Sequence, residues 1–273
     1  MRVRRLALAV ILIGAALYFL APLWWLFVAA SRSLGNQSGT GWWFSGFHLF
    51  ANLKALVDEQ NGVFLHWVAN SLLYSGVGAA GATLLSAMAG YALAKYRFRF
   101  REALFTAILA AVLVPKMLLA TPLYLLFSAV HLTGNRLAFF LPSLVSPFGV
   151  YLCRIFAAGA VPDEIIEAAR MDGAGELAIF FRIAVRMMTP ALVTVFLFNV
   201  VDIWNNYLLP TLVLKDSQWP VTVGLGNWFS TKGAVELSNY VIIGAFASLI
   251  PLAAVFVFFQ RYWRTDLTAG AVK

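Results

Sequence analysis

Apolar residues fill this chain in six long runs separated by short polar stretches. The first, Leu6 to Ala30, follows three arginines within Met1 to Arg5. It exceeds the ~7–15-residue apolar core of a cleaved signal peptide and matches the ~20 residues a helix needs to cross a bilayer. The other runs cover 67–94, 103–130, 137–158, 188–214 and 240–262, and each predicts a spanning helix. Trp24 and Trp25 suit an interfacial aromatic belt. Gly76, Gly78, Ala79, Ala80, Gly81 and Ala82 put small residues at the centre of the second run, where a neighbouring helix can approach closely. Pro115 and Pro122 interrupt the third run, and Pro142 and Pro147 the fourth. Residues 31–66 and 215–239 are polar and turn-rich, with Trp42, Trp43, Trp219 and Trp228 among them, and are expected on the outer surface.

One polar interruption differs from the rest. Between 159 and 190, Asp163, Glu164, Glu167, Asp172 and Glu176 crowd together. Pro162 followed by two acids predicts a helix start, because proline fits the first turn and acids favour the positive end of the dipole. Gly173, after Arg170, predicts its stop in a left-handed conformation. A second helix follows, with Leu177, Phe180, Phe181, Ala184, Val185 and Met188 spaced to form one apolar stripe and Arg182 and Arg186 opposite. The pattern predicts a docking element at a membrane surface.

Composition places the chain in a membrane. It has 273 residues, 62% of them hydrophobic and only 12% charged, against roughly 25% in a soluble domain. The net charge of +8 does not point to nucleic acid, because the basic residues sort by membrane side. Six spans put both termini on one side. With them lie fourteen: Arg2, Arg4, Arg5, Lys95, Arg97, Arg99, Arg101, Arg154, Arg170, Arg182, Arg186, Arg261, Arg264 and Lys273. Opposite lie five, Arg32, Lys54, Arg136, Lys215 and Lys232, while Lys116 falls inside a span. The positive-inside rule then makes both termini, and the 159–190 loop, cytoplasmic.

Catalytic signatures are lacking. The chain has no GxxxxGK[ST] phosphate loop, no His-Glu metal pair and no G-x-S-x-G. His48, His66 and His131 share no ligand spacing, so no metal site is expected, and the lone Cys153 suits packing. Two charges sit inside expected spans, Lys116 and Asp202. At ~2.5–3.5 kcal/mol or more each in hydrocarbon, they should face a cavity or a partner, as a polar path, a gate-region ion pair or an interhelical structural pair. Beside Asp202 stand Trp204, Asn205 and Asn206, an indole and two amides of the kind that hold a sugar's apolar face and its hydroxyls. The asparagines could equally satisfy a helix break before Pro210.

These residues also carry a resemblance. Glu167-Ala168-Ala169, Asp172-Gly173-Ala174, then Phe180, Ile183 and Pro190, resemble the EAA loop of ABC importer permeases. Trp204-Asn205-Asn206-Tyr207-Leu208-Leu209-Pro210, and a tail from Gln260-Arg261-Tyr262 to Leu267-Thr268-Ala269-Gly270-Ala271-Val272-Lys273, are similar to the carbohydrate-uptake permeases of the maltose inner-subunit type. The likeness runs from about Asn70-Ser71 to the last residue. It implies an all-α, six-helix type I permease fold over 1–273 as a single transmembrane domain. In the family, the cytoplasmic EAA helix seats in a cleft of the ATPase subunit, which here gives a coupling role to Glu164, Glu167, Ala168, Ala169, Asp172, Gly173 and Ala174. It implies no cofactor in this chain, with ATP and Mg on two partner ATPase subunits. A second homologous permease, an extracytoplasmic solute-binding protein and a sugar-type substrate complete the expected system, in a prokaryotic cell membrane. Where the family usually carries a proline this chain has Arg186, so the second helix of the loop is expected to run unbroken to Pro190.

The expectation is therefore a permease subunit forming half of a carbohydrate or polyol pathway, not an enzyme. The rivals are an ion-driven secondary transporter, a membrane-embedded enzyme, and an ABC permease for a non-sugar solute. An ion-driven carrier calls for several embedded carboxylates, and Asp202 stands alone in the spans.

Overall fold

The structure is a computed structural model that describes residues 2–34, 36, 41–231 and 235–262. The tail motif at 267–273 and the basic residues Arg264, Lys232 and Lys273 lie outside the described residues. Among the described residues every regular element is a helix.

The chain opens with α1 (Arg2–Ala30) and α2 (Leu49–Asp58), then turns through the left-handed Gln60 and Asn61 into α3 (Val63–Lys95). Next come α4 (Arg101–Val112) and α5 (Lys116–Ala129), bent by 100° from each other. Pro115 causes that break, since it has no N–H to give and its ring excludes the carbonyl four residues back. The fourth apolar run divides into α6 (Leu137–Ser143) and α7 (Pro147–Ala160). Pro147 opens α7, and the Ser146 hydroxyl accepts from the Gly149 N–H at 3.2 Å as its cap. The polar interruption folds as α8 (Asp163–Met171), α9 (Glu176–Ile179), a π turn over Phe180–Ala184, and α10 (Val185–Met187). After it come α11 (Thr189–Trp204), α12 (Leu208–Val213), α13 (Val221–Ser230) and α14 (Val235–Phe259).

Among the described residues, four helical stretches are long and apolar enough to cross a membrane: Arg5–Ala30, Leu49–Lys95, Leu137–Ala160 and Asn239–Tyr262. There are six if each of two bent pairs, Arg101–Val112 with Lys116–Ala129 and Glu176–Met187 with Thr189–Trp204, counts as one span.

The helix expected to run unbroken to Pro190 does not. It breaks at Met188, and the chain bends by 82° into α11. Pro190 lies within the first turn of α11, where it cannot continue the preceding ladder. The Thr189 hydroxyl donates instead to the Arg186 carbonyl at 2.8 Å and the Val185 carbonyl at 3.2 Å. The apolar stripe also moves. The wider π turn lines up Phe180, Ala184 and Met188 on the buried side with Ile179, and leaves Leu177 and Phe181 exposed.

The described residues pack into two compact units. One takes the chain up to His66 together with Gly224–Pro251. There the Asn52 amide donates to the carbonyls of Ala30 and Arg32, at 2.8 and 2.6 Å, satisfying orphan carbonyls at the end of α1. Phe27 meets Phe44 and Phe246 at ring separations of 5.6 Å each. From Arg5 to Leu20, α1 is exposed on every side, a surface suited to hydrocarbon or to other helices.

The second unit runs from Trp67 to Val223 and resumes at Leu252. One of its cores joins Tyr74, Phe127, Phe139, Val200, Ile203 and Leu209; the other gathers Ala87, Tyr91, Cys153, Ala157, Ile166, Ile179, Phe180 and Met188. Cys153 packs there, fully buried. Small residues of α3 allow the tight contacts. A β-carbon at Gly90 would stand 2.7 Å from the Arg154 backbone nitrogen on α7, and one at Gly81 would strike Leu144. Gly76 is different, with open space where its β-carbon would be.

Candidate functional site

The second core carries α8 on its surface. Pro162 precedes the helix in extended conformation, and Asp163 and Glu164 occupy its first turn. Ile166 and Ala169 turn inward onto the core, whereas Glu164, Glu167, Ala168 and Met171 share the exposed face at i, i+3, i+4 and i+7. The helix ends in a Schellman turn. The Ala174 N–H reaches the Ala169 carbonyl and the Gly173 N–H the Arg170 carbonyl, each at 3.0 Å, with Gly173 left-handed at φ +80°. Asp172 caps the end and is exposed; Ala174 is half-buried against the core. Of the paired alanines, only Ala168 faces out.

Exposed apolar residues flank the acids, and the sequence pattern did not pick them out. Met171 is 88% exposed, Leu177 68%, Phe181 49% and Ile165 40%. The 3.6-residue period puts Leu177 and Phe181 in the apolar stripe of the second helix, and the shift in register at the π turn leaves them exposed.

Polar contacts tie this surface to the end of α3. Lys95, its side chain 6% exposed, meets the Asp163 carboxylate through its ammonium at 2.7 Å. The Tyr96 hydroxyl donates to Glu176 at 2.6 Å, and Arg170 forks onto the same carboxylate at 2.7 and 3.2 Å. The hydrogen bond from Lys95, reinforced by its charge, holds the Asp163 carboxyl below the usual range. Burial, together with the hydrogen bond that its hydroxyl donates to the Glu176 carboxylate, pushes Tyr96 up to about 12. Nearby, Arg154 grips Glu102 through two bonds of 2.8 and 2.9 Å and lies 3.7 Å over the Phe105 ring.

The residues singled out within the spans separate into two sets. Lys116, the first residue of α5, and Asp202, in the last turn of α11, form an ion pair of 2.6 Å with both side chains about half exposed. Phe198, Val201, Asp202 and Asn205 line one exposed face of α11. Trp204 lies off that face, 4% exposed, so its indole packs within the protein and is closed to a ligand in this conformation. The Asn205 amide donates to Val201 of its own helix at 2.9 Å, and the Asn206 carbonyl accepts from the Thr222 hydroxyl at 3.0 Å. The Asn205 side chain thus satisfies a carbonyl at the end of α11, while Asn206 takes part through its backbone carbonyl. A separate hollow of about 550 Å³, lined by Thr106, Leu109, Leu113, Phe148 and Tyr151, is almost wholly apolar and suits no polyhydroxylated solute.

An acidic helix thus lies between long apolar helices, and an ion pair joins two of those helices. Residues 82–267 match the family model described as "Binding-protein-dependent transport system inner membrane component". The chain belongs to that family. As a binding-protein-dependent inner membrane component it is a transport subunit with membrane helices. It is 30% identical to the arabinooligosaccharides transport system permease protein AraQ of Bacillus subtilis, over 99% of this chain and 96% of that one. It is 35% identical to AraQ of Halalkalibacterium halodurans over 80% and 77%, and 31% identical to the lactose transport system permease protein LacG of Rhizobium radiobacter over 95% and 93%. The fold matches a chain of a bacterial ABC transporter involved in the import of the acidic polysaccharide alginate, with TM-score 0.78, 23% identity, and 96% and 97% of the two chains covered.

Proposed function

We propose that this inner membrane component is one of two permease subunits of an ATP-driven importer for a carbohydrate or related polyol. The observation that carries the coupling role is α8, whose outward face of Glu164, Glu167, Ala168 and Met171 is free to seat in a cleft. A second permease, two ATPase subunits holding ATP and Mg, and an extracytoplasmic solute-binding protein would complete the system. The fourteen-to-five split of basic residues supports cytoplasmic termini and a cytoplasmic α8, with the binding protein opposite, in a prokaryotic cell membrane. In this reading ATPase closure moves α8, and the spans rock to open the pathway alternately to each side.

The names of the relatives support a sugar. Lys116 and Asp202 support a neutral one, because the paired charges present no net charge to a passing solute. The pathway of this chain would follow the exposed face of α11 through Asp202 and Asn205. Uptake of labelled arabinooligosaccharide and lactose by cells making the whole system, against cells lacking this chain, tests the reading. Asp202→Leu should assemble at wild-type level and lose most of that uptake, because Lys116 is left unpaired. Full uptake by the variant would remove Asp202 from the pathway, and equal uptake without the chain would reject both sugars.

A further inference from the structure

Chain connectivity leaves α8 weakly held. On one side it joins α7 through Val161 and Pro162, both extended; on the other it ends at the left-handed Gly173. A force applied to its outer face needs a stiffer route into the spans.

Two neighbouring residues at the end of α3 supply one. Lys95 reaches across 68 positions of sequence to Asp163, the first residue of α8, at 2.7 Å. Tyr96 reaches across 80 positions to Glu176 at 2.6 Å, and Glu176 holds Arg170 in the last turn of α8. The helix is therefore fixed at both ends from one point on α3. Between these ends Ile166 and Ala169 rest on the core that contains Ala87 and Tyr91 of α3. The Lys95 side chain is packed, 6% exposed, so its ammonium emerges at one place, beside the exposed Asp163 carboxylate. The bonds leave the outward face, Glu164, Glu167 and Ala168, untouched.

Resting on the reading of α8 as the coupling helix, we propose that Lys95 and Tyr96 are positioning residues that strap α8 to α3. The two helices then move as one lever, and α3 is the span that receives the ATPase stroke first. In this arrangement the ends of α8 belong to the permease and its middle belongs to the partner.

Spin labels at Ile165→Cys on α8 and Leu72→Cys on α3, in a Cys153→Ala background, measure the lever directly. From Leu72 to Tyr96 is about 36 Å of helix at ~1.5 Å per residue, within the reach of pulsed dipolar spectroscopy. The sample is the complex purified with its second permease and ATPase, without nucleotide and with ATP plus vanadate. The strap predicts one narrow distance whose mean does not shift on trapping. Lys95→Met with Tyr96→Phe should lose that single distance, and Lys95→Arg, or Lys95→Glu with Asp163→Lys, should restore it. A wild-type mean that shifts on trapping, a narrow distance that survives in the double variant, or failure of both rescues would overturn the strap. Retention of the ATPase by Glu167→Lys is read in parallel. If that variant keeps its ATPase the docking reading fails, while the nucleotide-free distances still decide the strap.

Discussion

Gly173 stands at φ +80° with nothing within 4 Å of where a β-carbon would be. A larger residue there meets backbone strain, not a clash, of about 1–2 kcal/mol. Gly173→Val should therefore loosen the end of α8 and weaken ATPase retention, while Gly173→Asn, which tolerates the left-handed region, should be much milder. Co-purification of the ATPase with each variant checks this, and equal retention by valine and wild type would contradict it. This residue was legible in the sequence, since a glycine after an acidic helix with a basic last turn has few other uses. Trp204 was not. Its place beside two asparagines suggested sugar stacking, yet helical periodicity puts Asp202 and Asn205 on the exposed face and Trp204 off it. Lys116 and Asp202 were each flagged by cost alone; their 2.6 Å meeting across 86 positions needed the fold.

At the scale of elements, proline punctuation was half readable, since Pro122 and Pro142 lie inside α5 and α6 rather than at breaks, and register was not readable. Pro115 and Pro147 break the third and fourth runs where the chain's chemistry requires. The π turn at Phe180–Ala184 shifts which apolar residues are buried, and a fixed 3.6-residue period cannot anticipate it. Small residues in α3 announced close packing but not which of them are in contact. Gly90 and Gly76 separate the cases. A leucine at Gly90 would drive into the α7 backbone, whereas one at Gly76 meets open space in this chain. Gly90→Leu should lower the thermal unfolding temperature of the detergent-purified permease, with overpacking worth roughly 1–3 kcal/mol, and Gly76→Leu should leave it near wild type. The opposite order would show that α3 and α7 do not pack as described.

For the whole molecule, hydropathy and charge were enough to give an all-helical membrane protein, because spanning segments must satisfy their own backbone and cytoplasmic ends collect arginine. Two of the six expected runs fold as bent helix pairs, which run length cannot reveal. The acidic helix α8 was legible for the converse reason, that a crowd of carboxylates inside an apolar chain has no use in lipid. Its attachment to α3 was not, since in the sequence Lys95 counts only as one of fourteen basic residues and Tyr96 carries no signal. The central claim is that α8 is where an ATPase engages this permease. Glu167 lies on its exposed face, and if an ATPase cation pairs with it in the docked complex, reversing its charge costs at least the ~2–5 kcal/mol of removing one partner of a buried pair. The direct measurement is the amount of ATPase retained when tagged Glu167→Lys permease is purified from membranes that contain it at wild-type level. The account predicts that insertion persists and most of the ATPase is lost; retention at the wild-type ratio would contradict it.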